Sequence, residues 1–291
     1  MKRITLVFFL LAAFANTFAQ TKYLDRKVLD SLADSIETEG KTLYRSEWAS
    51  WYGTDIFTAK CADRRARIGG YISYETKAGL YNVFYTKGES PVVLGTIFFG
   101  NDFNPEKYTL DTTARGLSTA EKEYYDIRTA AIKRVGTDTV FKYYKNSSLN
   151  PVPIIHNGIK RVYVLTGPNI NGVVLCGNDY QIDFNKNNEV ASVKKLHNSL
   201  IAIKSGKETD STKITLSSMH SHVEGKDRFI TATDICTTML YHHLTTWNTM
   251  VVVSKDYVSN WDCNKNSLVI LTTEAWSKIY GIKSTLGGGR E

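Results

Sequence analysis

The stretch that decides the fold is residues 71–99, YISYETKAGLYNVFYTKGESPVVLGTIFF. β-branched and aromatic residues, which favour strands, fill three blocks of it. The blocks are residues 71–74, 81–85 and 92–99. Gly79 and the segment Gly88-Glu-Ser-Pro91 separate them with turn-forming residues. Three short strands in close succession predict an antiparallel meander, so we expect an α+β fold of antiparallel sheets with a few helices.

Two helices are predicted around this meander. Apolar residues at helical spacing predict the first over residues 23–44. Trp48 and Trp51 follow it three positions apart, as on one helix face, and are expected to be core anchors. The second helix is predicted over residues 118–135, because Ser118-Thr-Ala-Glu121 has the spacing of a capping box.

Strands dominate the remaining sequence, with two more helices near the end. We expect the helices at residues 231–243 and 273–280, and a hairpin turn at Asn185-Lys-Asn-Asn188. The predicted strands are 140–144, 152–155, 161–165, 173–176, 180–184, 190–196, 213–222, 250–254, 257–261 and 268–271. A boundary near residue 150 then divides an N-terminal α+β region (21–150) from a C-terminal α+β domain (151–284), with a flexible tail at 285–291.

Residues 1–20 have the pattern of a secretory signal peptide. A basic pair, Lys2 and Arg3, precedes an apolar run, and the small residues Ala15 and Ala19 flank a cleavage point. The apolar run is shorter than the roughly 20 residues that span a bilayer, which disfavours the alternative of a membrane anchor. We therefore expect an exported protein, periplasmic or extracellular, with no transmembrane segment after cleavage.

The net charge limits the classes of binding partner, and the cysteine content limits the possible disulfides. The formal net charge is +7, and loss of the leader would lower it to +5. The basic residues are scattered, so no nucleic-acid partner is predicted. Four cysteines in an oxidising compartment permit two disulfides, while buried free thiols are the alternative. The four are Cys61, Cys176, Cys236 and Cys263.

One group of residues has the spacing of a metal-binding site. His220 and His222 are two positions apart in a predicted strand, so their side chains point the same way. Asp234 stands at the start of the next predicted helix, near the end of that strand. Two histidines and one carboxylate, with a coordination position left for water, form a catalytic zinc arrangement. Alternatively, the histidines are packed residues, and Thr231 with Asp234 is only a capping box.

This pattern, His-x-His followed by Ser/Thr-x-x-Asp, resembles the signature of the JAB/MPN (JAMM) metallopeptidase-like domains. The resemblance implies that His220, His222 and Asp234 bind zinc and that Thr231 stands in place of the family's serine. It also implies hydrolysis of amide or isopeptide bonds in a peptide or protein substrate, and a JAB/MPN-like C-terminal fold. The family's upstream glutamate, the general base, is replaced by Asn169, so that role would fall to Glu224 or Glu189.

The missing glutamate keeps a second hypothesis open. A non-catalytic exported binding module or envelope-associated protein, with or without a vestigial metal site, fits the same sequence. Signatures of other enzyme classes are absent: there is no GxSxG, no GxxxxGK[ST] and no HExxH. The chemistry predicted from the sequence therefore rests on the His220, His222 and Asp234 motif alone.

Overall fold

The structure is a computed structural model that describes residues 23–204, 217–221, 228–245 and 247–281. Both predicted classes of element occur in these residues, which confirms the α+β fold. The α-helices are α1 (Arg26–Lys60), α2 (Thr119–Thr137), α3 (Ala232–Tyr241) and α4 (Thr273–Tyr280). None of these described helices is both long and apolar enough to cross a membrane.

The strands form four sheets. The first seven strands are β1 (Ile68–Thr76), β2 (Gly79–Thr86), β3 (Val92–Phe99), β4 (Tyr108–Asp111), β5 (Arg115–Gly116), β6 (Ser147–His156) and β7 (Ile159–Pro168). They are followed by β8 (Val173–Gly177), β9 (Tyr180–Phe184), β10 (Val190–Lys195), β11 (Leu200–Lys204), β12 (Ser217–Ser221), β13 (Thr249–Val253), β14 (Tyr257–Asp262) and β15 (Ser267–Thr272).

The first sheet is the predicted meander. Its strands lie in the order β1-β2-β3-β4, all antiparallel, and β5 pairs with one end of β3. The second sheet has the order β10-β9-β7-β6, and β8 pairs with β11 to form the third. The fourth sheet has the order β12-β13-β14-β15, and its β12 and β13 are the one parallel pair among the described strands.

Helix α1 packs against the first, second and fourth sheets. Its first turns carry Leu29 and Ala33 into the core of the fourth sheet. Leu43, in its middle, packs against the second sheet and α3. Trp48 and Phe57, near its end, pack against the first sheet. One helix of 35 residues, about 50 Å long at 1.5 Å per residue, therefore contributes to three cores.

The structure corrects three expectations about local elements. The first helix continues to Lys60, well beyond the predicted end at residue 44. Trp51 is 38% exposed, so only Trp48 of the predicted pair is a core anchor. Residues 140–144 form an irregular loop instead of the predicted strand. Phe141 of that segment is buried against the second sheet as a loop residue, which explains its apolar character.

Other local predictions are confirmed. Ser118 caps α2 in a capping box with Glu121, as the spacing predicted. Asn185 and Asn188 close the hairpin between β9 and β10.

The predicted domain boundary at residue 150 lies inside strand β6 and not in a linker. The predicted leader, residues 205–216 with the start of the strand predicted at 213–222, and the predicted tail at 285–291 lie outside the described residues.

The four cysteines are free thiols in the structure. Cys61, Cys176 and Cys236 are buried, and Cys263 is half-buried. Burial raises the pKa of the Cys263 thiol to about 11, which keeps it protonated near neutral pH. Of the two alternatives left by the sequence, the structure contains the buried thiols.

Candidate functional site

The predicted metal ligands belong to one β-α-β unit. Strand β12 contains His220, whose backbone pairs with Val252 of β13. Helix α3 connects these two parallel strands, so its first turn lies toward the carboxyl end of β12. Asp234 is in that first turn. His222 and Glu224, which follow β12 in the sequence, lie outside the described residues.

Helix α3 is held against α1 by a close approach at Gly40. A Cβ atom at this position would lie 2.7 Å from the Cβ of Ile235, closer than real Cβ contacts occur. Ile235 is completely buried in the core that α1 shares with the fourth sheet. The absence of a side chain at Gly40 therefore sets the position of the first turn of α3, and with it Asp234.

Thr231 and Asp234 form the capping box that opens α3. The Thr231 hydroxyl accepts a hydrogen bond from the Asp234 backbone N–H at 3.2 Å. The Asp234 carboxylate in turn accepts from the Thr231 backbone N–H at 2.9 Å and from its hydroxyl at 2.8 Å. This confirms the capping interpretation of the Thr231-x-x-Asp234 spacing, and it leaves the metal-binding interpretation untested because a capping carboxylate can also be a ligand.

The Asp234 carboxylate also contacts a histidine that the motif does not include. Nε2 of His197 lies 3.2 Å from Oδ1 and 3.3 Å from Oδ2 of Asp234. The same ring nitrogen is 3.4 Å from the Thr231 hydroxyl. On the other side of the ring, Nδ1 lies 3.6 Å from Oδ2 of Asp179. An imidazole therefore stands between two carboxylates, and we call Asp179, His197, Thr231, Thr233 and Asp234 the His197 cluster.

The second sheet positions His197 and Asp179. Asp179 follows a sharp turn at Asn178, whose φ of 56° is left-handed, a conformation that asparagine tolerates. Its carboxylate accepts from the backbone N–H of Thr166 in β7 at 2.8 Å. Its carbonyl accepts from the N–H of Leu196, the residue before His197, at 2.9 Å. Two strand ends are thus tied together, which brings His197 beside Asp179.

Burial dominates the electrostatics of the cluster. Asp179 is 4% exposed, and burial raises the pKa of its carboxyl to about 6, while His197 opposes the rise. Thr233, completely buried, also bonds to Asp179 and links it to α3. The carboxyl groups of Asp179 and Asp234 lie on either side of an imidazole whose protonated form would compensate negative charge on either of them. Such an arrangement can hold or transfer a proton.

Thr231 connects the cluster to the protein surface. This residue is half-buried and lines a pocket of about 170 Å³. Leu196 and Ala232 also line the pocket. Its charged residues are the bases Lys194 and Arg228 and the acid Glu39. A small molecule or a side chain of a substrate in this pocket would be close to the Thr231 hydroxyl, and His197 would lie just behind it.

The donor set of the cluster has the chemistry of a zinc site. Zinc binds imidazole nitrogen and carboxylate oxygen, which His197 and Asp234 offer. Within the described residues, however, no group of three or more histidines, cysteines or acids could hold a metal ion. His222 is outside that search, so the metal site formed with the His-x-His pair stays a prediction.

Sequence reasoning missed His197 and Asp179. Both lie far from the His-x-His motif along the chain, and no motif surrounds either of them. The available signal was weak: Gly177-Asn-Asp179 has the composition of a strained turn. Their proximity to Asp234 depends on the packing of the second sheet against α3.

Comparison with known proteins adds no family to this description. No protein-family model matches the chain, and no curated protein or solved structure is significantly similar to it.

Proposed function

We propose that the protein is an exported zinc-dependent hydrolase that cleaves amide or isopeptide bonds in a peptide or protein substrate. The zinc ligands would be His220, His222 and Asp234, as the resemblance to the JAB/MPN domains implies. When bound, zinc lowers the pKa of a coordinated water and polarises a carbonyl group. The observation that carries the proposal is the contact of the Asp234 carboxylate with His197 and Thr231 at the start of α3, beside a pocket.

The roles of the other cluster residues follow from their contacts. His197 lies within hydrogen-bonding distance of Asp234 and would orient that carboxylate, as partners of metal ligands commonly do. His197 is also the titratable group next to the Thr231 hydroxyl, so it would carry the proton that a glutamate carries in the resembling family. Asp179 would stabilise His197 in its charged form. Thr231 would contact the substrate from the pocket wall.

Zinc content tests this proposal directly. We expect about one zinc ion per mature chain by elemental analysis, and none in a His220→Ala/His222→Ala variant. His197→Gln should retain the zinc but bind it roughly 10- to 100-fold more weakly in a chelator competition, the usual cost of losing a partner of a ligand. His156→Ala, a change at a histidine that lines a different cleft, is the matched control and should bind zinc like the wild type.

Two results would contradict the proposal. One is a wild-type protein that takes up no zinc on titration. The other is a His220→Ala/His222→Ala variant with unchanged zinc content, which would assign the metal to other residues.

A second candidate function is a non-catalytic exported or envelope-associated binding module. Asp234 favours it, because this residue is 3% exposed and its carboxylate already accepts hydrogen bonds from the backbone and hydroxyl of Thr231. In that case His197→Gln would alter stability, and no hydrolysis of peptide substrates would be measured with or without zinc.

A further inference from the structure

Two adjoining clefts form one groove along α1, away from the His197 cluster. Their volumes are about 330 Å³ and about 390 Å³, and Thr42, Ile154 and His156 line both of them. The middle of α1, the end of β1, α2 and the β6–β7 hairpin contribute the lining residues. Volumes of this order are typical of sites for small molecules. We call the two clefts together the α1 groove.

Most of the charged side chains that line the α1 groove are already paired. Glu39 forms an ion pair with Arg161, and Arg161 also donates to Asp183 at 2.9 Å. Glu75 forms an ion pair with Arg45 at 2.7 Å. These pairs hold the long side chains in fixed positions, and they compensate most of the charge on each member.

The other charges of the lining cancel one another. Asp34 and Lys77 complete the set of charged lining residues, and they have opposite signs. With His156 counted as neutral and Arg161 shared between two acids, the groove is close to electrically neutral. Its charge therefore favours neither a polyanion nor a polycation as the ligand.

Hydroxyl groups and apolar surface dominate the rest of the lining. Along α1 the groove is lined by a row of hydroxyl side chains, Ser35, Thr38, Thr42 and Ser46. The β6–β7 hairpin contributes three isoleucines, Ile154, Ile155 and Ile159. A hydroxyl both donates and accepts hydrogen bonds, whereas isoleucine offers only packing. A matching ligand therefore carries uncharged polar groups beside C–H surface.

Three side chains at the β6–β7 end of the groove are available to a ligand. Asp34, His156 and Asn157 are exposed, and their side chains have no hydrogen-bond or ion-pair partner among the described residues. Asn157 occupies the turn between β6 and β7, and its φ of 49° is left-handed. A carboxylate, an imidazole and an amide together can accept hydrogen bonds from hydroxyl groups and donate to them.

The main chain around the groove is largely unavailable, which disfavours an extended peptide as the ligand. Ser73 of β1 is 2% exposed, and its carbonyl accepts from the Ser46 hydroxyl at 3.3 Å. The Ile155 carbonyl in β6 already accepts from a tyrosine hydroxyl of α2 at 3.4 Å. Pro151 and Pro153 of the same strand have no N–H. Recognition in the α1 groove therefore depends on side chains.

We propose that the α1 groove binds a neutral oligosaccharide. A neutral sugar ring has hydroxyl groups around its edge and C–H groups on its faces, which matches the lining. Its hydroxyls would bond to Asp34, His156 and Asn157, and its faces would pack against Ile154 and Ile159. The groove shares no residue with the proposed zinc site, so this inference does not depend on hydrolase activity.

An array of neutral glycans tests this inference on the wild-type protein. The array would contain α- and β-linked oligomers of glucose, mannose, galactose and N-acetylglucosamine, and isothermal titration calorimetry would measure the affinity for the best-bound glycan. We expect His156→Ala/Asn157→Gly to bind that glycan at least tenfold more weakly, because it lacks two groups that bond sugar hydroxyls. Both side chains are exposed and glycine tolerates the φ of residue 157, so this variant should fold.

Two variants and one change of solvent serve as controls. Asn266→Gly is matched to Asn157→Gly, because Asn266 is also an exposed turn residue, with a φ of 55°, and it should bind the glycan like the wild type. His220→Ala/His222→Ala should also bind it unchanged, so the two proposals can fail separately. Raising NaCl from about 50 mM to about 500 mM should leave the affinity unchanged, since salt does not screen a neutral ligand.

Three results would overturn the proposal. One is the absence of binding to every glycan of the array. Another is an unchanged affinity of His156→Ala/Asn157→Gly, which would place the glycan elsewhere on the protein. The third is an affinity that falls tenfold or more in high salt, which would indicate a charged ligand.

Discussion

Glu47 is a buried acid whose pKa departs strongly from its usual value. It is 3% exposed, and burial raises the pKa of its carboxyl to about 7 from the usual 4.5, with Arg128 opposing the rise. The Asn150 amide donates to one of its oxygens at 2.9 Å. Glu47 also bonds to the side chain of Ser50, whose hydroxyl lies 2.8 Å from that of Ser73 in β1. Glu47 therefore links α1 to β6 directly and to β1 through Ser50.

This burial predicts a pH dependence of stability. A carboxyl whose pKa is higher in the folded state favours folding in its protonated form, so its contribution is greatest below pH 4.5 and is lost as the pH rises to about 7. The Glu47→Gln side chain keeps an oxygen that can accept from the Asn150 amide, and it removes the titratable carboxyl group. We expect this variant to have a larger free energy of unfolding than the wild type at pH 8, by about 1–3 kcal/mol, with the difference shrinking toward pH 4.5.

Urea unfolding at several pH values measures this difference. Asp179 contributes in the same direction at lower pH, since burial raises its pKa to about 6, and the comparison of wild type with Glu47→Gln removes that contribution. Glu89→Gln, in an exposed loop, is the control and should leave the profile unchanged. A constant difference between Glu47→Gln and the wild type across this pH range would show that Glu47 does not titrate as described.

At the scale of elements, the crossing of α1 and α3 decides where the His197 cluster forms. Ile235 fills the space above Gly40, and Asp234 is its neighbour in sequence. Residue 136 is also a helical glycine, but nothing lies within 4 Å of a Cβ added there. The two glycines therefore separate the effect of helix propensity from the effect of close packing.

We expect opposite results from the same substitution at these two positions. Gly40→Ala should destabilise the protein by roughly 1–3 kcal/mol, because overpacking displaces Ile235 and the start of α3. Gly136→Ala should stabilise it by about 0.5–1 kcal/mol through helix propensity alone. Thermal and urea unfolding measure both changes. Equal effects of the two substitutions would mean that α3 is free to move away from α1.

At the scale of the whole molecule, α1 makes the sheets depend on one another. Its residues belong to the cores of the first, second and fourth sheets, as Phe57, Leu43 and Leu29 illustrate. The division at residue 150 would cut β6 and would separate Leu43 from Tyr163 in their shared core. Removal of either part therefore exposes apolar surface on the other.

We expect the protein to unfold in one cooperative transition. Far-UV circular dichroism, which follows α1, and tryptophan fluorescence, which follows Trp48 and Trp261 in different cores, should give coincident curves in urea. A fragment of residues 21–150 should be largely unfolded in isolation, because α1 loses two of its three partners. Separate transitions, or a folded fragment, would show two independent domains instead.

Local patterns in the sequence determined the elements of this protein and some of their ends. Alternating β-branched and aromatic residues specified the meander of β1, β2 and β3, and hydroxyl-to-acid spacing specified the caps of α2 and α3. These features involve residues within one turn or one hairpin, so interactions between residues close in sequence determine them. The predicted first helix ended too early because the buried face of α1 beyond residue 44 includes the polar residues Ser46, Glu47 and Ser50, which interrupt the apolar spacing.

Only the tertiary structure decided which side chains meet. Asp179, His197 and Asp234 come from three separate parts of the chain, and contact between them requires the second sheet to pack against α3. Residues of β1 and β6, which belong to different sheets, line one cleft together with residues of α1. The spacing of apolar residues predicts which residues are buried. It does not predict which surface they pack against, because the hydrophobic effect favours burial against any apolar surface. The surface against which each helix or sheet face packs depends on complementary shape, as at Gly40, and on the pairing of buried polar groups, as at Glu47.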